Sequence, residues 1–192
     1  MWKRNTKSSM ETKLFINEFI KDKNVGAVAP TSNHITKRII EKINFKKASI
    51  IVEYGPGNGV ITKILLDNMK PDAELYAFET NKDFFNNLSE IKDKRLVIIN
   101  DDAENAKNIL KNSYQIEKVD YIISTIPFTF IEKQKRKRII YKSFALLKEK
   151  GIFITYQYSW LILNLIKKQF KNVQWKLVLF NLPPAIIIDG MK

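Results

Sequence analysis

The segment from Ile50 to Gly59 constrains the fold more than any other part of the chain. It reads Ile-Ile-Val-Glu-Tyr-Gly-Pro-Gly-Asn-Gly, an apolar strand that runs into a glycine-rich turn, and the helical pattern of residues 60–68 follows directly. Glycines are needed where the backbone bends tightly and approaches a ligand with no Cβ in the way. A strand, a glycine turn and a helix in this order predict a parallel α/β sheet with a ligand at the carboxyl ends of its strands.

The alternation of strands and helices continues along the chain. Such alternation is typical of an open, mostly parallel sheet with helices on both faces. The short connection through Pro183 and Pro184 predicts that the last two strands form an antiparallel hairpin. The expected strands span residues 49–54, 74–79, 95–100, 119–124, 151–156, 173–180 and 185–189.

All of residues 1–192 are expected to form a single domain, in which residues 1–44 are a helical extension before the first strand. Within it, residues 10–21 place five large apolar side chains on one helical stripe with lysines on both flanks. This pattern predicts a helix that packs on the sheet, and its basic flanks also suit a helix that docks on a membrane surface.

Positive charge is concentrated in the last third of the chain. The chain has 33 basic and 20 acidic residues, and residues 133–192 contain 13 basic residues against two acidic ones. Five of those cations lie between Lys133 and Arg138. This distribution predicts a polyanionic partner, either an anionic membrane surface or a nucleic acid. The alternative is that these lysines and arginines only solvate a surface helix.

Cysteine is absent and histidine occurs once, at His34, so the composition excludes disulfides, iron–sulfur clusters and cysteine nucleophiles, and no metal site is expected. No signal peptide is recognisable, and the longest uncharged stretch, residues 151–166, is too short to span a bilayer. The protein is therefore expected in the cytoplasm, where it is soluble or peripherally bound to a membrane.

Carboxylates follow the glycine turn at intervals that suit a nucleoside. Glu79 ends the next predicted strand, twenty residues after Gly59, where its side chain can accept hydrogen bonds from both ribose hydroxyls. Asp101 and Asp102, followed by Ala103, end the third strand, where an adenine edge is within reach. These features on three successive strands predict a cofactor that contains a nucleoside.

The turn departs from the dinucleotide fingerprint, because Val60 stands where that fingerprint has its last glycine. The G-x-G-x-G spacing, with Glu53 two residues ahead, resembles the Rossmann-like, seven-stranded S-adenosylmethionine-dependent methyltransferases. The resemblance implies that S-adenosylmethionine is the cofactor, that Glu79 binds its ribose and that Asp102 and Ala103 bind its adenine. It further assigns to the cofactor site Glu53, Gly55, Gly57, Gly59 and Ser124.

The segment after the fourth strand bears on the methyl acceptor. Ser124-Thr125-Ile126-Pro127-Phe128 resembles the Asn-x-Pro-Tyr/Phe motif of the adenine-N6 methyltransferases, which include the ribosomal RNA dimethyltransferases. Those enzymes hold the exocyclic amine with an amide or carboxylate and stack an aromatic ring on the base. Thr125 occupies the amide position here, and a hydroxyl is a poorer partner for that amine.

Three other segments resemble the bacterial phospholipid N-methyltransferases, which methylate phosphatidylethanolamine toward phosphatidylcholine. They are residues 26–32, the glycine turn with its strand (residues 52–59), and residues 181–185; the stretch 155–158 matches the aromatic segment after the fifth strand of that family. The resemblance implies a single-domain enzyme that takes a phospholipid amine as substrate, and we expect it at the inner membrane face. The oligomeric state is open, with a monomer favoured. An RNA adenine-N6 methyltransferase is the alternative, and a cofactor-binding adaptor without activity is a third hypothesis, which the complete glycine turn argues against.

Two residues are candidates for the chemistry of methyl transfer to an amine. His34 is the only side chain whose ordinary pKa suits removal of the amine proton near neutrality, although it could equally be an ordinary helix residue. Tyr158, close after the fifth strand with Tyr156, could hold a methylated ammonium by cation–π attraction. Ordinary core packing is the alternative for these tyrosines.

Overall fold

The computed structural model describes residues 33–179 and 184–192. Two short 3-10 helices, Ala103–Asn105 and Phe128–Phe130, accompany the main elements. In chain order the main elements are α1 (Asn33–Ile40), β1 (Ile50–Tyr54), α2 (Val60–Asn68), β2 (Glu74–Phe78), α3 (Lys82–Leu88), β3 (Leu96–Ile99), α4 (Ala106–Tyr114), β4 (Val119–Ser124), α5 (Lys133–Leu146), β5 (Leu147–Gln157), α6 (Leu163–Gln169), β6 (Lys171–Val178) and β7 (Ala185–Met191).

The strands form one seven-stranded sheet in the order β3-β2-β1-β4-β5-β7-β6. Strands β1 to β5 are parallel to one another, whereas β7 is antiparallel to both β5 and β6. Because β7 reverses direction between them, β6 runs parallel to β5. The predicted mostly parallel sheet with an antiparallel C-terminal hairpin is confirmed.

The core lies on both faces of the sheet, as the period of two in each strand requires. On β1, Val52 belongs to the cluster that includes residues of α4, α5 and α6, while Ile51 belongs to the cluster that includes residues of α1 and α2. All three central positions of β1, residues 51–53, are buried, as expected for a strand covered by helices on both sides. The carboxyl ends of β1, β2, β4 and β5 therefore meet at one edge.

Element boundaries differ from the expected ones mainly around β5. The strand begins at Leu147, directly after α5, rather than at Gly151, and its pairing with β4 shifts register between Val119 and Tyr121. The next helix begins at Leu163, six residues after the end of β5. Within the described residues, no helix is both long enough and apolar enough to cross a bilayer.

Several sequence predictions concern residues outside the described ranges. The helix expected over residues 10–21 and the motif at residues 26–32 both lie there, as does most of the motif at residues 181–185. His34 is the second residue of α1, and only its backbone belongs to the described structure.

Candidate active site

A cavity of about 440 Å³ lies at the carboxyl edge of the sheet, next to the glycine turn. It is bounded by the turn itself, the end of β2, the start of the 3-10 helix after β3, the loop after β4, and one face of α5. Its walls contain Gly55, Pro56, Gly57, Asn58, Val60, Ile61, Phe78, Glu79, Thr80, Asn81, Phe84, Asp102, Ala103, Thr125, Ile126, Pro127, Ile131, Lys135, Ile139 and Tyr156.

The three glycines of the turn all have positive φ angles, yet they have different surroundings. A Cβ at Gly57 would meet no atom within 4 Å, so its backbone is bare toward the cavity. A Cβ at Gly55 would lie 3.2 Å from Ile126 Cγ1 in the loop after β4. A Cβ at Gly59 would lie 2.8 Å from Leu88 Cδ2, and Gly59 is not among the residues that line the cavity. Gly59 thus serves the packing of α2 against the end of α3.

Glu79 holds the glycine turn in place. Its buried carboxylate accepts hydrogen bonds from the backbone N–H of Gly57 at 3.1 Å and of Asn81 at 2.8 Å. Asn81 in turn caps α3 by accepting from the N–H groups of Asp83 and Phe84. One carboxylate therefore connects the turn after β1 with the helix after β2, and it lines the cavity at the place predicted for a ribose contact.

Glu53 is fully buried and does not line the cavity. Its Oε2 accepts a hydrogen bond from the Thr62 hydroxyl at 2.7 Å, whereas its Oε1 has no partner among the described residues. Burial is the largest cause that raises the pKa of Glu53 to about 7. Ser124 Oγ is likewise buried without a partner among the described residues and away from the cavity walls.

Asp102 and Ala103, which the resemblance assigns to the adenine, both line the cavity. Asp102 Oδ1 caps the 3-10 helix by accepting from Glu104 N at 2.8 Å, and Oδ2 forms an ion pair with Lys135 Nζ at 2.6 Å. Lys135, one of the cations of the basic run, also lines the cavity. This ion pair joins the cavity wall to α5.

The loop after β4 is held by hydrogen bonds to the end of β1 and to Gln157 of β5. The Thr125 hydroxyl donates to the Gly55 carbonyl, and the Thr125 N–H donates to Tyr54 O at 2.9 Å. Phe128 is fully buried in the core, and its N–H donates to Gln157 Oε1 at 3.2 Å. The Gln157 side chain also donates to Ile126 O at 2.9 Å. In this loop the residues that match the base-binding motif are used for structure.

Of the two aromatic candidates, Tyr156 lines the cavity and Tyr158 is not among the residues that line it. Their rings meet edge to face at a centroid distance of 6.0 Å. The sequence did not single out Lys135, Gln157 or Asn81. Lys135 and Gln157 act through partners that only the fold brings near. For Asn81 a signal existed, because Asn immediately before a helical pattern is a capping residue.

The model of the family described as "Ribosomal RNA adenine dimethylase" matches residues 23–146 of this chain. The ornithine lipid N-methyltransferase of Singulisphaera acidiphila is 27% identical over 177 residues, which cover 90% of this chain and 91% of that protein. The ribosomal RNA small subunit methyltransferase A of Ureaplasma parvum serovar 3 is 30% identical over 133 residues, which cover 66% of this chain but 47% of that protein.

Solved structures resemble the chain in fold. The N-methyltransferase NodS of Bradyrhizobium japonicum WM9 has a TM-score of 0.69 at 10% identity, covering 85% of this chain and 99% of that one. SMU.1697c of Streptococcus mutans, solved in complex with SAH, has a TM-score of 0.56 at 17% identity, covering 82% and 95% of the two chains. The chain belongs to the ribosomal RNA adenine dimethylase family and is an S-adenosylmethionine-dependent methyltransferase.

Proposed function

We propose that this methyltransferase acts on the amine of a membrane lipid head group, with phosphatidylethanolamine, methylated toward phosphatidylcholine, as the first candidate. The observation that carries the proposal is the state of the loop after β4. Phe128, at the position of the base-stacking ring, is buried in the core, and the Thr125 hydroxyl already donates to Gly55 O. An adenine-N6 enzyme needs the aromatic ring free to stack on the base, and it needs an amide or carboxylate to hold the exocyclic amine, which the Thr125 hydroxyl replaces poorly.

The similarity to an ornithine lipid N-methyltransferase over nearly the whole of both chains supports a lipid amine as acceptor. It also makes the ornithine lipid amine a second head group to test. The family description and the similarity to ribosomal RNA small subunit methyltransferase A support an RNA substrate instead. That similarity covers about half of the RNA enzyme's length, so the rest of that enzyme has no counterpart in the match.

The cavity fits S-adenosylmethionine. The bare backbone at Gly57 allows a ligand to approach closely, and the Glu79 carboxylate stands beside it as an acceptor for ribose hydroxyls. Asp102 and Ala103 would hold the adenine end. When bound there, this cofactor supplies a methyl group on a positively charged sulfur.

The residues of this chain then have to align the amine and keep the site dry. Ile126, Ile131 and Ile139 give the cavity an apolar wall on the side of the loop after β4 and α5. The Tyr156 ring lines the same cavity and can face an ammonium, an attraction of about 0.5–2 kcal/mol.

An amine that is protonated near neutrality must lose a proton before it attacks. Both oxygens of Glu79 already accept backbone hydrogen bonds, and both oxygens of Asp102 are engaged as well. We therefore propose His34, near the start of α1, as the group that accepts the proton. The residues of the cavity wall orient the amine, and His34 acts as the general base.

The test is methyl transfer from radiolabelled S-adenosylmethionine to three acceptors in parallel: anionic liposomes with phosphatidylethanolamine, anionic liposomes with ornithine lipid, and unmodified small-subunit ribosomal RNA. Label is expected in extracted lipid and absent from RNA. Thr125→Ala should reduce lipid methylation by less than about threefold, since a second hydrogen bond, from the Thr125 N–H to Tyr54 O, remains. Label in RNA and none in lipid contradicts the proposal and favours the RNA adenine-N6 function.

A further inference from the structure

We infer that one face of the molecule, beside the cavity, docks onto an anionic lipid bilayer. The inference rests on the proposed function, since an enzyme for a membrane lipid has to reach a bilayer. We call this surface the docking face. It combines four cations with five exposed apolar side chains: Lys133, Arg136, Lys137 and Lys168, and Trp160, Leu161, Trp175, Leu177 and Leu179.

The apolar part of the docking face is unusually exposed. Trp160, Leu161 and Trp175 are each 48–49% exposed, Leu177 is 42% exposed and Leu179 is 66% exposed. The two tryptophan rings contact each other edge to face at 4.8 Å, which joins the segment before α6 to strand β6. Neighbouring exposed apolar side chains mark interaction sites, and tryptophan is enriched where proteins meet the membrane interface.

Strand β6 shows why this surface is not part of the core. Val178 faces the side of the sheet that is covered by α1, where it packs with the second core cluster. Trp175 and Leu177 alternate with Lys176 and Val178, so they share the opposite face. Strand β6 is an edge strand of the sheet. Trp175 and Leu177 remain exposed on this face among the described residues.

The cations of helix α5 fall into two sets, those that form salt bridges with described carboxylates and those that do not. Lys135 pairs with Asp102, and Arg138 and Lys142 share Glu104, so these three cations are held against carboxylates on the body of the protein. Lys133, Arg136 and Lys137 form no salt bridge with any described carboxylate, and Lys168 of α6 forms none either. The acidic residue beside them, Glu132, accepts from the N–H groups of Gln134 and Lys135 as the helix cap.

A groove of about 420 Å³ joins the two parts of the docking face. Leu161 and Leu165 lie in its walls together with all four unpaired cations. An apolar floor bordered by cations is complementary to an anionic bilayer, whose phosphates attract lysine and arginine while the acyl boundary takes up apolar side chains.

The position of the docking face fits the proposed substrate. Lys133 begins the helix after β4 and Trp160 follows β5, so both lie at the carboxyl edge of the sheet where the cavity is. Because β6 runs parallel to β5, Leu177 and Leu179 near its carboxyl end lie at the same edge. A head group in a bilayer held against this face is within reach of the cavity.

RNA is also a polyanion, but the docking face suits it less well. Leucine side chains gain little from contact with phosphates or bases, whereas they gain from burial in a bilayer. The Trp160 and Trp175 rings also pack against each other, which reduces the ring surface left for stacking on bases. The observations therefore favour an anionic membrane as the occupant.

Sedimentation with vesicles tests the inference on the full chain without a methyl donor. The vesicles contain phosphatidylcholine with or without phosphatidylglycerol. The intact protein should sediment with anionic vesicles, and the fraction bound should fall as salt rises. Lys133→Gln/Arg136→Gln/Lys137→Gln should weaken binding by roughly tenfold or more. Trp160→Ser/Trp175→Ser should weaken it to a similar degree even at low salt.

A charge-matched control is Lys46→Gln/Lys47→Gln/Lys94→Gln, because these exposed lysines precede β1 and β3 at the opposite edge of the sheet. It should bind vesicles nearly as the intact protein does. Equal losses in the control, unchanged sedimentation of the docking-face variants, or loss of RNA binding in place of vesicle binding would each overturn the docking face.

Methylation of a short-chain, monomeric lipid amine separates this inference from the proposed function. The docking-face variants should methylate that soluble substrate as fast as the intact protein. If the intact protein methylates lipid but the variants still sediment normally, the docking face is wrong and the proposed function stands. If the variants lose sedimentation but the intact protein methylates no lipid amine, the docking face stands and the proposed function is wrong.

Discussion

At the scale of single residues, Glu53 is the side chain whose chemistry differs most from its ordinary state. It is fully buried, and this burial, with a smaller contribution from the charge of Glu79, raises its pKa to about 7. A carboxyl with a raised pKa favours the folded state in its protonated form. Its contribution to stability is therefore complete below about pH 4.5 and is lost as the pH rises toward 7.

Glu53→Gln should remove this pH dependence from the free protein. The free energy of unfolding of the intact protein should fall by roughly 2–3 kcal/mol more between pH 5 and pH 8 than that of the variant. Urea denaturation at both pH values measures the difference. Ser124→Ala, which changes a buried group that does not titrate, should follow the intact protein. If the stability of the intact protein and that of Glu53→Gln change equally with pH, the raised pKa of Glu53 is contradicted.

Two substitutions at the cavity test the cofactor site. Gly57→Val should abolish binding of S-adenosylhomocysteine, because it places a side chain on the bare backbone and strains a residue with φ of +56°. Glu79→Ala should weaken binding by roughly 1.5–3 kcal/mol, the range for hydrogen bonds to a charged group. Isothermal calorimetry gives both affinities, with exposed Glu90→Ala as control. If both variants fold and bind S-adenosylhomocysteine with unchanged affinity, the cofactor does not bind in this cavity.

At the scale of elements, one side chain of β5 fixes the loop that forms a cavity wall. Gln157 is 3% exposed, and its amide accepts from Phe128 N and donates to Ile126 O. These two bonds hold Ile126 and Pro127 in place along the cavity. The loop after β4 is therefore a rigid part of the site that depends on the end of β5.

Gln157→Leu should destabilise the protein by about 2–4 kcal/mol, because it leaves the buried N–H of Phe128 and the half-buried carbonyl of Ile126 without their partner. The midpoint of urea denaturation measures this loss. Thr129→Ala is a useful comparison, since it removes only the half-buried contact of Thr129 with Ser159 and should cost less than about 1 kcal/mol. Equal midpoints for Gln157→Leu and the intact protein would show that the amide does not hold the loop.

At the scale of the whole molecule, local sequence patterns predicted the fold well. The helix Val60–Asn68 and the strand Val119–Ser124 have the expected bounds, because each follows from periodicity and from the turns beside it. The strand β5 was missed at its start, since its first residues continue directly from α5 with no glycine or proline between them. Local pattern cannot mark a boundary that lacks a breaking residue.

The candidate site was less predictable, because it depends on contacts between distant residues. Glu79 and Gly57 were named from the glycine turn, but their hydrogen bond joins residues 22 positions apart. Lys135 reaches Asp102 across 33 positions, and nothing in a run of basic residues says which one turns inward. The burial of Phe128 also follows only from the packing of the whole sheet.

The order of the strands has a consequence for how the protein is made. Strand β7 lies between β5 and β6, so a ribosome that has synthesised residues up to the end of β6 has not yet produced the strand that pairs with it. Until residues 185–191 emerge, β5 has an open edge and β6 has no neighbour in the sheet. Unpaired strand edges of incompletely folded chains are prone to aggregation, so the protection of β5 and β6 depends on the strand that is made last of the three.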